Sequence, residues 1–491
     1  MDSDLFRQQL PVDVLVPEVY AGYRRIVADA FVFFLKHLSK ARLEAILLEQ
    51  AELPADAEPA RRLVRFLRAC PALHKLGQVL ARRRELDLSL RQRLQRLESM
   101  VPRTPMAQIE PLLVNQLGAQ LEPFSVELAS EPLAEGSVAV VVPLTWAADP
   151  RGPRQAGVAK MLKPGARTEL QEDLEILGRL ADHLDERRDA YDLPAFAYRD
   201  TFDEVRNLLT HEIDLAQEQA NLRQARQRFA DARDVLVPEV LPFSTPAMTA
   251  MERIEGTKVT ELRHPSAKDD ELARTIARAC MGEVLFARRP SVLFHADPHA
   301  GNLIATPDGR LGLLDWSLTG RLDGVSRMWL MQIMVGALSL DAGRIGRSIE
   351  ALATRRPHRA TERTLIDGAL YRLRCGEPPG PHWMMELLDT LAMSGVRFAP
   401  DLLMLRKVYF MLEGVVEDVC KGCSLNNLLL GQAVEQVGSE WAARALRPIG
   451  SRAYPSTIST LDLMQVAAAA PYALASSVVH RWLNFTRIWT A

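Results

Sequence analysis

Over the first hundred positions, apolar residues recur at helical spacing with charges between them. The pattern predicts a helix over 30–48 and another over 76–97, where leucines repeat among arginines and glutamates. The run Val101-Pro102-Arg103-Thr104-Pro105 interrupts it and reads as a linker. A short helix over 109–117 follows, with Gly118 as its C-cap. At Pro132 the texture changes. A β-branched run over 138–142 and an apolar run over 158–162 flank turn residues Asp149-Pro150 and Gly152-Pro153, the pattern of a hairpin. Leu170, Leu174, Leu177, Ala181 and Leu184 then mark one face of a helix. A further helix is predicted over 212–229, and strands over 235–243 and 247–254. From Lys258 onward the chain reads as mainly helical, except over 292–314, where short apolar runs alternate with turns. The order is therefore helices, a small β-rich lobe, and a larger helical lobe. No internal repeat interrupts it.

Length changes this picture little: 491 residues exceed what one hydrophobic core serves and predict two or three packed units. With 48% hydrophobic and 25% charged residues and a net charge of -2, the chain has no global field for nucleic acid. Arg82-Arg83-Arg84 reads as a solvated helix face. Five scattered cysteines predict a reducing, cytoplasmic compartment without a disulfide framework. Cys420 and Cys423 lack the further ligands of a zinc site and read as structural thiols. The start, Met1-Asp2-Ser3-Asp4, does not resemble a secretory signal. The mostly apolar run over 463–479 is too short to span a bilayer. In the tail, Trp482, Phe485 and Trp489 share one helical face beside Arg481 and Arg487. This suits either packing on the domain or peripheral contact with the inner face of a membrane.

The chemistry is concentrated in His295-Ala296-Asp297-Pro298-His299-Ala300-Gly301-Asn302 and in Leu311-Gly312-Leu313-Leu314-Asp315-Trp316. Phosphoryl transfer needs a carboxylate near the incoming nucleophile and oxygen ligands that hold Mg2+ across the phosphates. Asp297 fits the first role. Asn302, five residues on, and Asp315, at the end of a buried strand, fit the second. Lys160 stands in an apolar strand, where an unpaired ammonium is costly. A lysine that neutralises ATP phosphates while a helix glutamate holds it explains the position. Glu218 is the best partner, on one helical face with Asp214 and Asn221, while Glu212 points elsewhere.

These motifs together resemble the UbiB/AarF family of atypical kinase-like proteins, which is linked to isoprenoid-quinone biosynthesis. The family's K-x-G-Q stands as Lys75-Leu76-Gly77-Gln78, and its E-x-D as Glu212-Ile213-Asp214. The nucleotide lysine stands in Lys160-Met161-Leu162-Lys163-Pro164-Gly165, and the hinge is Met251-Glu252-Arg253-Ile254-Glu255-Gly256. The late segment with Leu412-Glu413-Gly414-Val415 is similar to the family's closing helices, so the likeness covers roughly 60–425. Two positions depart from the pattern. The Ala-rich phosphate loop keeps Ser137 and Ala139 but places Gly136 in the turn and valines where the family has polar residues. The metal motif reads Asp315-Trp316-Ser317, without its glycine.

The resemblance implies an α+β, protein-kinase-like two-lobe fold with an N-terminal helical extension. Its expected parts are the extension over 1–125, a small nucleotide lobe over 126–256, a helical catalytic lobe over 257–440 and a tail over 441–491. It implies ATP and Mg2+ as cofactors, with Gly136, Ser137, Lys160, Glu252 and Ile254 at the nucleotide. Lys75 would pair with Glu212 or Asp214 across the mouth of the site, with Gln78 toward the phosphates. The implied activity is an ATPase coupled to a lipid or quinone precursor rather than a protein kinase. A small-molecule phosphotransferase and a nucleotide-sensing pseudokinase scaffold are the alternatives, and a homodimer stays open.

Overall fold

The computed structural model describes residues 12, 16, 18–54, 56–80, 92–94, 102–187, 190–191, 206, 209–262, 267–355, 359–471 and 475. Contacts divide the chain into two compact units, 1–220 with 239–253, and 221–238 with 254–491. The extension and the β-rich segment thus share one unit.

The first unit opens with helices α1 (Arg24–His37), α2 (Lys40–Ala51), α3 (Pro59–Arg68), α4 (Pro71–Leu80) and α5 (Met106–Leu117). The helix expected over 30–48 is broken. Leu38 is extended (φ -61°, ψ 146°), and the Ser39 amide, freed from the helix ladder, donates to the Glu172 carboxylate. The later part of the helix expected over 76–97 lies largely outside the described residues. Gly118 ends α5 at φ +49°, a conformation glycine holds at low cost.

Strands β1 (Glu127–Leu128), β2 (Ala134–Glu135), β3 (Ala139–Trp146), β4 (Gln155–Leu162) and β6 (Met248–Glu252) form one antiparallel sheet. The hairpin forms, with longer strands than the β-branched runs alone mark. Alternation then divides the side chains of β3. Val140, Val142, Leu144 and Trp146 face a core shared with Ile109, Leu113 and Leu117 of α5. Helix α6 (Ala166–Glu186) packs Leu170, Ile176, Leu177, Leu180 and Leu184 into the core of α1–α4.

Helix α7 (Leu215–Arg228) begins after Asp214, whose carboxylate accepts from the Gln217 amide at 3.0 Å. Its first six residues belong to the first unit and the rest to the second. The strand expected over 235–243 is only β5 (Val235–Leu236), because Pro238 and Pro242 lack the amide a ladder needs. Val240 makes an isolated bridge to Met251 instead.

In the second unit, β5, β10 (Leu311–Leu313), β9 (Leu303–Ala305) and β7 (Thr257–Lys258) form one sheet. A Cβ on Gly256 would lie 2.4 Å from the Ala305 carbonyl oxygen, so only glycine lets the chain leave the hinge here. Strand β8 (Ser291–His295) pairs with β11 (Thr319–Asp323). Asp323 caps helix α8 (Gly324–Leu338), and α9 (Ala342–Leu352), α10 (Arg359–Arg374), α11 (Pro381–Met393), α12 (Pro400–Val419) and α13 (Leu425–Ser439) follow.

Cys420 and Cys423, expected as thiols, are joined in a disulfide. They stand in the turn that ends α12, where the Cys423 amide donates to the Cys420 carbonyl at 3.0 Å and brings the side chains together. Bonded sulfurs offer no thiolate to a metal. Near the end of the described chain, buried Asp462 accepts from Arg344 at 2.6 Å, Arg452 at 3.0 Å and the Ser459 amide at 2.9 Å. Burial acts to raise its pKa, but the bonds from Arg452, Ser459 and Arg344 outweigh it and hold the carboxyl well below its usual range. Trp482, Phe485 and Trp489 lie outside the described residues. Among the described residues no helix is long and apolar enough to cross a membrane.

Candidate active site

In the first unit, the hairpin register sets Lys160 between Val141 and Thr249 on the neighbouring strands. Its Nζ lies 2.6 Å from Glu218 Oε1. The side chains of this pair are 8% and 0% exposed. Desolvated charges persist only when paired, so the geometry accounts for a lysine in this strand.

A second ion pair lies on the same unit. Lys75 Nζ is 2.6 Å from Glu212 Oε1, and Ser137 Oγ donates to Glu212 Oε2 at 3.1 Å. One carboxylate therefore ties the K-x-G-Q helix to the loop at Ser137. Glu212 takes the lysine and Asp214 takes the helix cap. The Gln78 side chain lies outside the described residues.

The Lys75 helix is itself anchored. Asp173 accepts from the Ala72 amide at 3.0 Å and pairs with Arg42 at 2.8 Å. Burial pushes the Asp173 carboxyl up to about 6, against the pull of Arg42. The residue before Gly136 is fixed as well. Glu135 Oε2 accepts from the Arg103 and Thr104 amides at 2.7 and 3.0 Å. Burial alone would raise the pKa of Glu135, but these amides and Lys163 lower it. Glu252 ends β6, where its amide donates to the Glu239 carbonyl at 2.8 Å. Ile254 opens the next segment of the second unit and touches the face of Gly312.

In the second unit, the loop from Asp297 to Asn302 is built from the end of β8. His295 accepts the Asp297 amide on Nδ1 at 3.1 Å, and Nε2 lies 2.8 Å from the Leu314 carbonyl. The proton therefore sits on Nε2. Burial lowers the pKa of this histidine, which keeps the ring neutral. One imidazole thus links the Asp297 loop to the strand that presents Asp315. Asn302 Nδ2 donates to the Asp297 carbonyl at 3.1 Å, which commits the amide nitrogen and leaves the side-chain oxygen as the group that can accept. The Asn302 carbonyl also accepts from the Leu314 amide at 2.9 Å.

Asp315 has φ +50°, and its Oδ1 accepts from Ser317 Oγ at 2.6 Å. The serine in place of the motif's glycine thus orients the carboxylate. Trp316 is fully buried, its ring 4.9 Å from His295, and its carbonyl accepts from Asn221 Nδ2 at 3.0 Å. A carboxylate and an amide oxygen suit a hard cation such as Mg2+.

Two contacts were not legible from the motifs. Lys407 of α12 places Nζ 3.4 Å from Asp297 Oδ1. His299 Nε2 lies 4.0 Å from the other Asp297 oxygen, while its Nδ1 accepts the Gly301 amide. Lys407 is far along the chain in a helix that reads as ordinary. The histidines stood inside the motif, but only the fold reveals which atoms they bind.

Lys160 with its helix glutamate, the Asp297–Asn302 loop and a carboxylate after a buried strand define a kinase-like α+β protein with an N-terminal helical extension. The ABC1 atypical kinase-like domain model matches residues 96–349, more than half of the chain, and the protein belongs to that family. It is similar to the Arabidopsis thaliana chloroplastic protein "ACTIVITY OF BC1 COMPLEX KINASE 3", with 27% identity over 292 residues. That match takes in 58% of this chain and 40% of the relative's length. Among solved structures, the Rv3197–erythromycin complex from Mycobacterium tuberculosis aligns with a TM-score of 0.47 and 19% identity. It covers 84% of this chain and 96% of that one.

Proposed function

We propose that the protein is a Mg-ATP-binding, kinase-like ATPase that supports isoprenoid-quinone or other lipid metabolism. The observation that carries this reading is the buried Lys160–Glu218 pair at 2.6 Å, the arrangement that holds a phosphate-binding lysine in a kinase-like nucleotide lobe. Lys160 takes the ATP phosphates, with the loop at Gly136 and Ser137 and the hinge at Glu252 and Ile254 completing the nucleotide contacts. Asp315 and Asn302 are the residues that would hold Mg2+, whose charge offsets that of the phosphates. Asp297 orients the attacking water and receives its proton as the terminal phosphate bond breaks and ADP leaves. Lys75, held by Glu212, keeps the extension where long peptides would otherwise lie. The protein acts in the cytoplasm, with the tail residues Trp482, Phe485 and Trp489 in peripheral contact with the inner face of a membrane.

Asp315→Asn should abolish Mg-dependent stabilisation by ATP in a thermal-shift assay, because it removes the charged metal ligand. Asp297→Asn should keep that stabilisation and lower phosphate release by about 10²-fold or more. Parent-like binding and release in both variants would overturn the assignment. A nucleotide-sensing pseudokinase is the second reading. It is favoured by the valines of the phosphate loop, of which Val140 and Val142 are fully buried. Stabilisation by ATP without any phosphate release by the parent protein would select it.

A further inference from the structure

A cavity of about 200 Å³ in the first unit is lined, among the described residues, by five arginines, Arg61, Arg65, Arg68, Arg93 and Arg103. Three of them follow from the sequence of α3, where positions 61, 65 and 68 fall at i, i+4 and i+7 on one helical face. Among the described residues no carboxylate lines this cavity.

The five guanidiniums are not equivalent. Arg65 is satisfied by Glu49 at 3.3 Å and by Glu52, and Arg93 by Glu58. Among the described residues, Arg61, Arg68 and Arg103 have no side-chain hydrogen bond or ion pair. Glu135, the acid nearest in sequence to the phosphate loop, is committed to the Arg103 and Thr104 amides and to Lys163. Burial, followed by the neighbouring Arg103 charge, lowers the pKa of Arg68. Glu135 and Glu49 act in the opposite direction but do not outweigh burial and Arg103, so an anion joining these like charges would relieve their repulsion. The planar guanidinium fork matches the oxygens of phosphate, and Leu53 and Val64 on the wall lower the local dielectric.

We propose that this cavity binds a phosphate group, as a phosphomonoester or a diphosphate. Its residues are distinct from those assigned to the ATP phosphates. Arg68 and Arg103 are the principal ligands, and Arg61 stands at the rim. The phosphate could belong to a soluble metabolite or to a lipid headgroup.

The test uses the full chain. Inorganic pyrophosphate is titrated by calorimetry, and phosphatidylcholine vesicles with and without phosphatidic acid are used in co-sedimentation. Binding of pyrophosphate alone assigns a soluble phosphate, and binding only to phosphatidic acid vesicles assigns a lipid headgroup. Either binding should weaken by about 10- to 100-fold in Arg68→Gln/Arg103→Gln, from the loss of two charge-assisted contacts. Arg61→Glu, a change at an exposed position, should weaken it without disturbing the fold. Binding should survive in Asp315→Asn. The proposal is overturned if neither probe binds, if the arginine variants bind like the parent, or if Asp315→Asn loses the pyrophosphate site. None of these outcomes depends on ATP hydrolysis.

Discussion

Replacing Glu218 by leucine should destabilise the first unit far more than the loss of one surface charge. Glu218 and Lys160 are 2.6 Å apart and almost wholly buried. At an effective dielectric of about 20, two unit charges at that separation attract by about 6 kcal/mol. Desolvation of the two ions cancels much of this, so the intact pair adds little over two apolar side chains. Leucine removes the attraction and leaves the desolvated ammonium, a loss of about 3–5 kcal/mol. For a unit of this size each kcal/mol lowers Tm by about 2–4 °C, so a fall of about 10 °C is expected. Lys160→Met/Glu218→Leu removes both charges and should recover to within about 1.5 kcal/mol of the parent. It should nevertheless lose the thermal shift induced by Mg-ATP. The assay is thermal and urea unfolding of the parent, both single variants and the double variant. The reasoning fails if Glu218→Leu unfolds with the parent, or if the double variant is as unstable as Glu218→Leu.

The Lys75–Glu212 pair is partly exposed, so Lys75→Ala should cost under about 1 kcal/mol. It should still change the rate of ATP-dependent phosphate release, because Glu212 would then hold Ser137 alone, and an unchanged rate would remove Lys75 from the proposal. Gly256→Ala forces a Cβ against the Ala305 carbonyl and should cost about 1–3 kcal/mol, read by urea midpoint, and a neutral result would contradict the close approach. Asp462 has a folded pKa below its unfolded value, so its stabilisation is present above about pH 4 and is lost as pH falls further. The protection of amides over 450–462, taken relative to the intrinsic exchange rate at each pH, should therefore fall below about pH 4 in the parent, while Asp462→Asn should show low protection already at neutral pH. A pH-independent parent would refute this.

The elements readable in advance were those with strong local causes. Val138 to Val142 could only be an extended run, and the leucines over 170–184 could only face a core as a helix. The five-residue spacing from Asp297 to Asn302 likewise marks a closed local loop, in which Asn302 Nδ2 donates to the Asp297 carbonyl. Where a distant group decides, the pattern misled. The break at Leu38 and Ser39 is closed by Glu172, which stands 133 residues from Ser39. The apolar content of 235–243 predicts a strand, but Pro238 and Pro242 confine the pairing to Val235–Leu236. Lys407 lies 110 residues from Asp297, and no local period marks it. Cysteine count carries no signal for the disulfide, which forms because the turn after α12 sets the two sulfurs side by side. Asn221 was placed on the right helical face, but its partner is a main-chain carbonyl, which sequence does not display.

Asp315 has one further consequence, for tolerance to mutation. Its left-handed backbone is open at low cost only to glycine, asparagine and aspartate. A saturation library at this codon would therefore be filtered twice, first by main-chain conformation and then by charge. Glutamate keeps the charge but meets the conformational barrier, and alanine meets the barrier and also lacks the carboxylate. Glycine enters freely with no ligand. Asparagine alone passes the first filter with nearly the same shape and fails only the second. Selection for folding at this position should thus retain a small set of residues, and on the proposed Mg2+ role of Asp315, selection for activity should reduce that set to aspartate.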